Sequence, residues 1–87
     1  MKKIVFAPNA IKDLVQYKSG NQKLAFKIFE LLEDIQSNPF HGLGKPEPLK
    51  GNFTGFWSRR INDEHRLIYR VTEESILVHS CFGHYKV

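Results

Sequence analysis

Leu24, Ile28, Leu31, Leu32 and Ile35 recur at the spacing of a single helix face, and the run stops at Ser37-Asn38-Pro39. Beyond that point the hydrophobic period changes from helical to alternating. The spacing therefore predicts a helix opened by Asn21, which stands where a side chain caps free backbone N–H groups. A shorter helix precedes it over Asn9–Ser19, with Ile11, Leu14, Val15 and Lys18 at helical spacing and Gly20 as the stop. Lys3-Ile4-Val5-Phe6 reads as a first strand closed by Pro8. Phe56–Ile61, Arg66–Val71 and Ser75–Phe82 read as three more, joined by turns at Asn62-Asp63-Glu64-His65 and Thr72-Glu73-Glu74. The order βααβββ predicts an α+β fold. Two N-terminal helices should pack on one face of a mostly antiparallel four-stranded sheet, in one domain spanning residues 1–87.

Size and composition narrow the classes open to such a chain. Eighty-seven residues suffice for one core but leave much surface uncovered, so a partner can contribute to normal stability. With 41% hydrophobic and 25% charged residues, the chain reads as a soluble cytoplasmic protein; no apolar run is long enough for a membrane, and MKKIVFAPNA is too short in its apolar part for a secretory signal. Cys81, the one cysteine, has no internal disulfide partner and sits in an apolar segment that suits a buried thiol. The net charge of +4 favours a polyanion or an acidic protein as partner. Its distribution sharpens that inference. Lys45, Lys50, Arg59, Arg60, Arg66 and Arg70 share one window with Phe53, Phe56, Trp57 and Tyr69, and cations interleaved with rings suit phosphates and bases. A solvated strand face over core aromatics explains the same pattern.

Alternation divides each strand into two faces. Trp57 and Ile61, then Leu67, Tyr69 and Val71, form the set directed at the helices, which leaves Ser58, Arg60, Arg66, Ile68 and Arg70 on the open face. Register decides whether Arg60 and Arg66 are neighbours. A four-residue loop pairs Ile61 with Arg66 and separates the arginines; an odd-length loop or a bulge brings both onto the open side, and the core patterns favour the latter.

Between these strands and the helices, Pro39–Gly55 holds four glycines and three prolines, a loop longer than a connector needs. Its segment GKPEPLKG places Glu47 between Pro46 and Pro48, and proline pushes both Lys45 and Glu47 toward extended geometry. The carboxylate is thus held rather than dangling. An open face with Arg60 and Arg66, approached by Glu47 from the loop and by His84 and Tyr85 from the C-terminal end, contains a base, an acid and anion-binding groups. Such a set suits metal-independent RNA cleavage, in which a 2′-hydroxyl attacks the adjacent phosphorus. Each member has a plainer reading: a loop ion pair for Glu47 with Lys45 or Lys50, surface cations for the arginines, a loosely held tail for His84. His41, His65 and His79 receive no catalytic role. His79 and Cys81 share a strand face as a two-ligand metal signal, which is weak without a second pair. No phosphate-cradling glycine motif is present.

The motifs NPF, GKPEPLK, GFWSRRI, EHRLIYRV and the terminal HY, between Asn38 and Tyr85, resemble the YoeB/Txe toxins of bacterial type II toxin–antitoxin systems, within the RelE superfamily. The resemblance implies a ribosome-dependent mRNA endonuclease that enters the vacant A site of the 70S ribosome, cuts the codon there and halts translation. It implies Glu47 as general base, Arg66 as the arginine stabilising the phosphate and His84 as general acid, with Lys50, Arg60 and Tyr85 in support. No cofactor or metal is implied. The implied partners are mRNA, the ribosome and a Phd/YefM-type antitoxin, through which the pair reaches operator DNA; a homodimer is a further option. Two rival readings remain beside it: a catalytically silent RNA- or ribosome-binding module, and an interaction protein whose open face receives an acidic partner.

Overall fold

A computed structural model describes residues 1–83. Its elements are β1 (Lys3–Phe6), α1 (Pro8–Gln16), α2 (Gln22–Ser37), β2 (Glu47–Pro48), β3 (Trp57–Arg60), β4 (Arg66–Val71) and β5 (Ser75–Ser80), with a single 3₁₀ turn over Gly51–Phe53. The sheet order is β1-β5-β4-β3-β2; only β1 and β5 run parallel. The sheet has five strands rather than four. The extra one is the pair Glu47–Pro48, added antiparallel to β3, since the proline-stiffened segment is already extended and needs only a ladder to join.

The α2 stripe is buried as its spacing predicts: Ile28, Leu31, Leu32 and Ile35 all lie in the core, each side chain contributing roughly 1.5–3 kcal/mol through removal from water. Asn21 occupies the N-cap position, but its side chain makes no capping bond, and its carbonyl accepts from Leu24 and Ala25 N–H. Helix α1 starts at Pro8, whose missing N–H costs nothing in a first turn, and ends at Gln16. Its buried side differs from the expected stripe. Ile11 and Val15 are more than half exposed, whereas Ala10 and Tyr17 are buried and Leu14 packs against them. The reason lies at the end of β5, where Cys81 N–H donates to Asp13 Oδ2 at 2.9 Å and the Tyr17 hydroxyl donates to the Cys81 carbonyl at 2.6 Å. These buried polar groups need partners, and satisfying them rotates α1 away from its most apolar phase.

On the helix side of the sheet, Trp57 faces Tyr69, which faces Val78, which faces Phe6; Arg59 faces Leu67. A bulge between Ile68 and Tyr69 on one side and Ser80 and Val78 on the other leaves His79 as the extra residue. His79 turns to the rings of Phe53 and Phe56, both 5.5 Å away, while Cys81 enters the core with its Sγ 3.7 Å from the Ala10 carbonyl. The expected shared face of His79 and Cys81 is therefore removed by the bulge. Among the described residues no helix is long and apolar enough to cross a membrane.

Candidate active site

The register of β3 against β4 pairs Arg60 directly with Arg66 and Ser58 with Ile68. Five residues, Ile61 to His65, make the connection, so the odd-length alternative holds. Asn62 closes it with its side-chain oxygen, which accepts from Glu64 N–H at 2.9 Å and His65 N–H at 2.7 Å. Arg66 is held by the same turn: its Nη1 donates to the carbonyls of Asn62 at 2.7 Å and His65 at 3.1 Å. Those bonds use one corner of a five-donor guanidinium and leave its other edge for a ligand.

Glu47 pairs with Ser58, so one row across the open face reads Glu47, Ser58, Ile68, Ser80, and the next reads Arg60, Arg66. Two strand spacings and a two-residue offset put the Glu47 and Arg66 Cα atoms roughly 12 Å apart. Ser58 and Ile68 follow Glu47 in its row, both buried. Glu47 is exposed and, among the described residues, in no ion pair, so the expected alternative of a loop salt bridge is not realised. Lys50 follows at the cap of the 3₁₀ turn, its carbonyl accepting from Phe53 N–H. On the other side of the Glu47 row from the paired arginines, Arg70 lies 5.8 Å over the Phe56 ring, and Phe53, Phe56 and His79 form an edge-to-face cluster.

The described chain ends beside the arginines. Gly83 N–H donates to His65 Nδ1 at 2.8 Å, and the Gly83 carbonyl accepts from Arg66 N–H at 3.0 Å. His65 is buried and has its ring against Phe82 at 4.4 Å and edge-on to Tyr17 at 5.5 Å. An accepting Nδ1 means that the imidazole proton sits on Nε2. His84 and Tyr85, two of the expected site residues, lie outside the described residues.

Residues 6–85 match the family described as the YoeB-like toxin of bacterial type II toxin–antitoxin systems. The chain belongs to that family. Toxin YoeB of Escherichia coli (strain K12) is 45% identical to it over 83 residues, covering 95% of this chain and 99% of that protein. The structure of the YoeB dimer from Staphylococcus aureus superposes with a TM-score of 0.89 at 46% identity, covering 97% of this chain and 98% of that one. The YoeB–YefM complex from the same organism gives 0.87 at 46% identity, with 98% and 99% covered.

In this YoeB-like chain Arg60 and Arg66 share the open face that the core patterns favoured, and Glu47 reaches the same face through its pairing with Ser58. The side chain that sequence reading missed is Arg59. It counted as one cation among several, yet it is fully buried, on the helix side. Its Nη1 meets Asp34 Oδ2 at 2.5 Å and the Leu43 carbonyl at 3.1 Å; Nη2 meets the carbonyls of Asn38 and His41; Nε donates to the Tyr69 hydroxyl at 3.1 Å. The Arg59 hydrogen bond holds the Asp34 carboxyl below the usual carboxylate range, against the opposing effect of burial. A signal was available: Arg59 falls in phase with Trp57 and Ile61, the predicted core set.

Proposed function

We propose that this YoeB-like toxin is a ribosome-dependent mRNA endoribonuclease that cleaves the A-site codon and so inhibits translation. The observation that carries the reading is the register, which sets Glu47 across the open face from the paired Arg60 and Arg66. In the proposed step Glu47 takes the proton of a ribose 2′-hydroxyl, and the 2′-oxygen bonds to the adjacent phosphorus. Arg66, supported by Arg60 and Lys50, stabilises the charge that grows on the non-bridging oxygens. The bond to the 5′-oxygen breaks, and His84 supplies the proton that this oxygen takes up, with Tyr85 in support. The products are a 2′,3′-cyclic phosphate and a 5′-hydroxyl. DNA, without the attacking hydroxyl, is not a substrate.

The implied partners follow from the same reading. The excess of positive charge and the basic, aromatic face suit mRNA and ribosomal RNA as well as the acidic C-terminal part of a YefM-type antitoxin. Operator DNA is reached only through that antitoxin complex, and a second copy of the chain is a further partner. The chain acts as one domain in the cytoplasm, without a cofactor.

Primer-extension mapping of a defined mRNA on ribosomes with an empty A site tests the proposal. Cleavage confined to the A-site codon, lost in Glu47→Gln and His84→Gln, is the expected result. Ribosome binding by folded wild-type protein without any cleavage points instead to the silent binding module.

A further inference from the structure

We infer that Arg59 is a positioning residue that clamps the 38–44 loop from behind the sheet and thereby sets where Glu47 stands on the open face. The inference rests on the nuclease reading, in which Glu47 is the base. All five guanidinium N–H donors of Arg59 are used: one each on Asp34 Oδ2, the Tyr69 hydroxyl and the carbonyls of Asn38, His41 and Leu43. Three of those acceptors are backbone groups of a segment outside any helix or strand. Two further groups brace the clamp. Asp34 Oδ2 also accepts from Leu43 N–H at 3.0 Å, and the Tyr69 hydroxyl donates to the Pro39 carbonyl at 2.7 Å.

From this clamp to Glu47 the chain has little freedom. The Gly44 carbonyl accepts from Arg60 N–H at 2.7 Å, and a Cβ on Gly44 would stand 3.0 Å from both the Arg60 carbonyl and a Leu31 methyl. Lys45 follows in the left-handed region, φ 51°, then Pro46, then Glu47. Glu47 pairs with Ser58, the residue before Arg59. One strand thus grips the loop at two successive residues, through the Arg59 side chain on the helix face and through backbone pairing beside Glu47.

Well-packed hydrophobic side chains in place of both Arg59 and Asp34 would stabilise a core about as well, because a buried ion pair must first overcome the desolvation of both charges. What a hydrophobic residue cannot do is hold three loop carbonyls at once, and lysine, a point charge with three donors, cannot reproduce the planar fork. The pattern is that of a base whose position is fixed by groups that never touch the substrate, where a misplacement of about 1 Å can lower a rate by roughly 100-fold.

The test compares wild type, Glu47→Gln, Tyr69→Phe and Arg59→Lys on ribosomes carrying one mRNA, measuring ribosome affinity and the single-turnover cleavage rate at saturating toxin. Tyr69→Phe keeps the ring and removes only the hydroxyl bridge, so it remains informative where Arg59→Lys fails to fold. Expected are affinities within about twofold of wild type, with cleavage slowed by about 10-fold in Tyr69→Phe and about 100-fold in Arg59→Lys. Added to Glu47→Gln, either substitution should cause little further loss in the residual rate, because the clamp acts through Glu47. Wild-type cleavage rates in folded Tyr69→Phe and Arg59→Lys, beside an inactive Glu47→Gln, would overturn the clamp alone. Equal rate losses with and without Glu47 would also overturn it. Full activity in Glu47→Gln would instead remove the base assignment, and the positioning role with it.

Discussion

Arg60 and Arg66 stand directly opposite one another across the β3–β4 ladder, on the face turned away from the helices. Like charges in that relationship repel, so the pair carries a cost in the free protein that an anion placed between them would remove. Arg60→Gln should therefore stabilise the free protein by about 0.2–1 kcal/mol at low salt while slowing cleavage at least 10-fold. Urea unfolding at two ionic strengths checks the first part; the gain should shrink as salt screens the pair. An unchanged or lower stability at low salt would contradict it.

Pro46 and Pro48 limit the freedom of the Glu47 segment before it joins β3. Replacing both with alanine should destabilise by about 0.4–1 kcal/mol per site through the unfolded chain. The cleavage rate should fall more than the stability change explains, while ribosome affinity stays near wild type. Parallel unfolding and single-turnover experiments separate the two effects.

The Arg59–Asp34 pair makes stability dependent on acid. The carboxyl of Asp34 is held below its ordinary value of 3.8, chiefly by the Arg59 hydrogen bond, so the unfolded chain takes up its proton first. The stabilisation is complete above that ordinary value and is lost as pH falls through the depressed one. Asp34→Asn should be less stable near neutrality, and its deficit should narrow below about pH 4. Arg59→Met leaves a carboxylate one-fifth exposed and unpaired, so a loss of about 3 kcal/mol, the lower end for breaking a buried pair, is expected at pH 7. Unfolding midpoints measured from neutral to acid pH check both.

Gly42 lies against the same carboxylate. Its φ is +120°, and a Cβ there would fall 2.2 Å from Asp34 Oδ2. Gly42→Ala should cost about 2 kcal/mol or more, from backbone strain and displacement of Asp34, with loop amides 39–44 exchanging faster than wild type. Hydrogen exchange locates the effect; uniform acceleration over the whole chain would count against this account.

Burial pushes the Cys81 thiol up to about 12, with the Asp13 carboxylate adding to the shift. The thiol should resist a disulfide reagent at pH 8 in the native protein and react once the chain is unfolded in urea. Rapid labelling of the folded protein would contradict its place against Ala10.

The sequence by itself determined the order of the two helices and of four of the five strands, the buried stripe of α2 and the core positions of β4, and it favoured a common face for Arg60 and Arg66, because these follow from periods of 3.6 and 2 that one chain carries locally. It also singled out Glu47, through two prolines whose effect on the backbone is intrinsic. Tertiary structure decided the rest. It set the phase of α1, where Asp13 and Tyr17 must meet backbone groups of Cys81; the parting of His79 from Cys81, which depends on one unpaired residue in a ladder; and the left-handed turn at Lys45, where an extended residue was expected. Above all it decided the fate of Arg59. Local pattern assigns a core direction to that position but cannot supply partners for five buried donors, which come from residues ten to twenty-five positions away and meet only when the loop closes over the sheet.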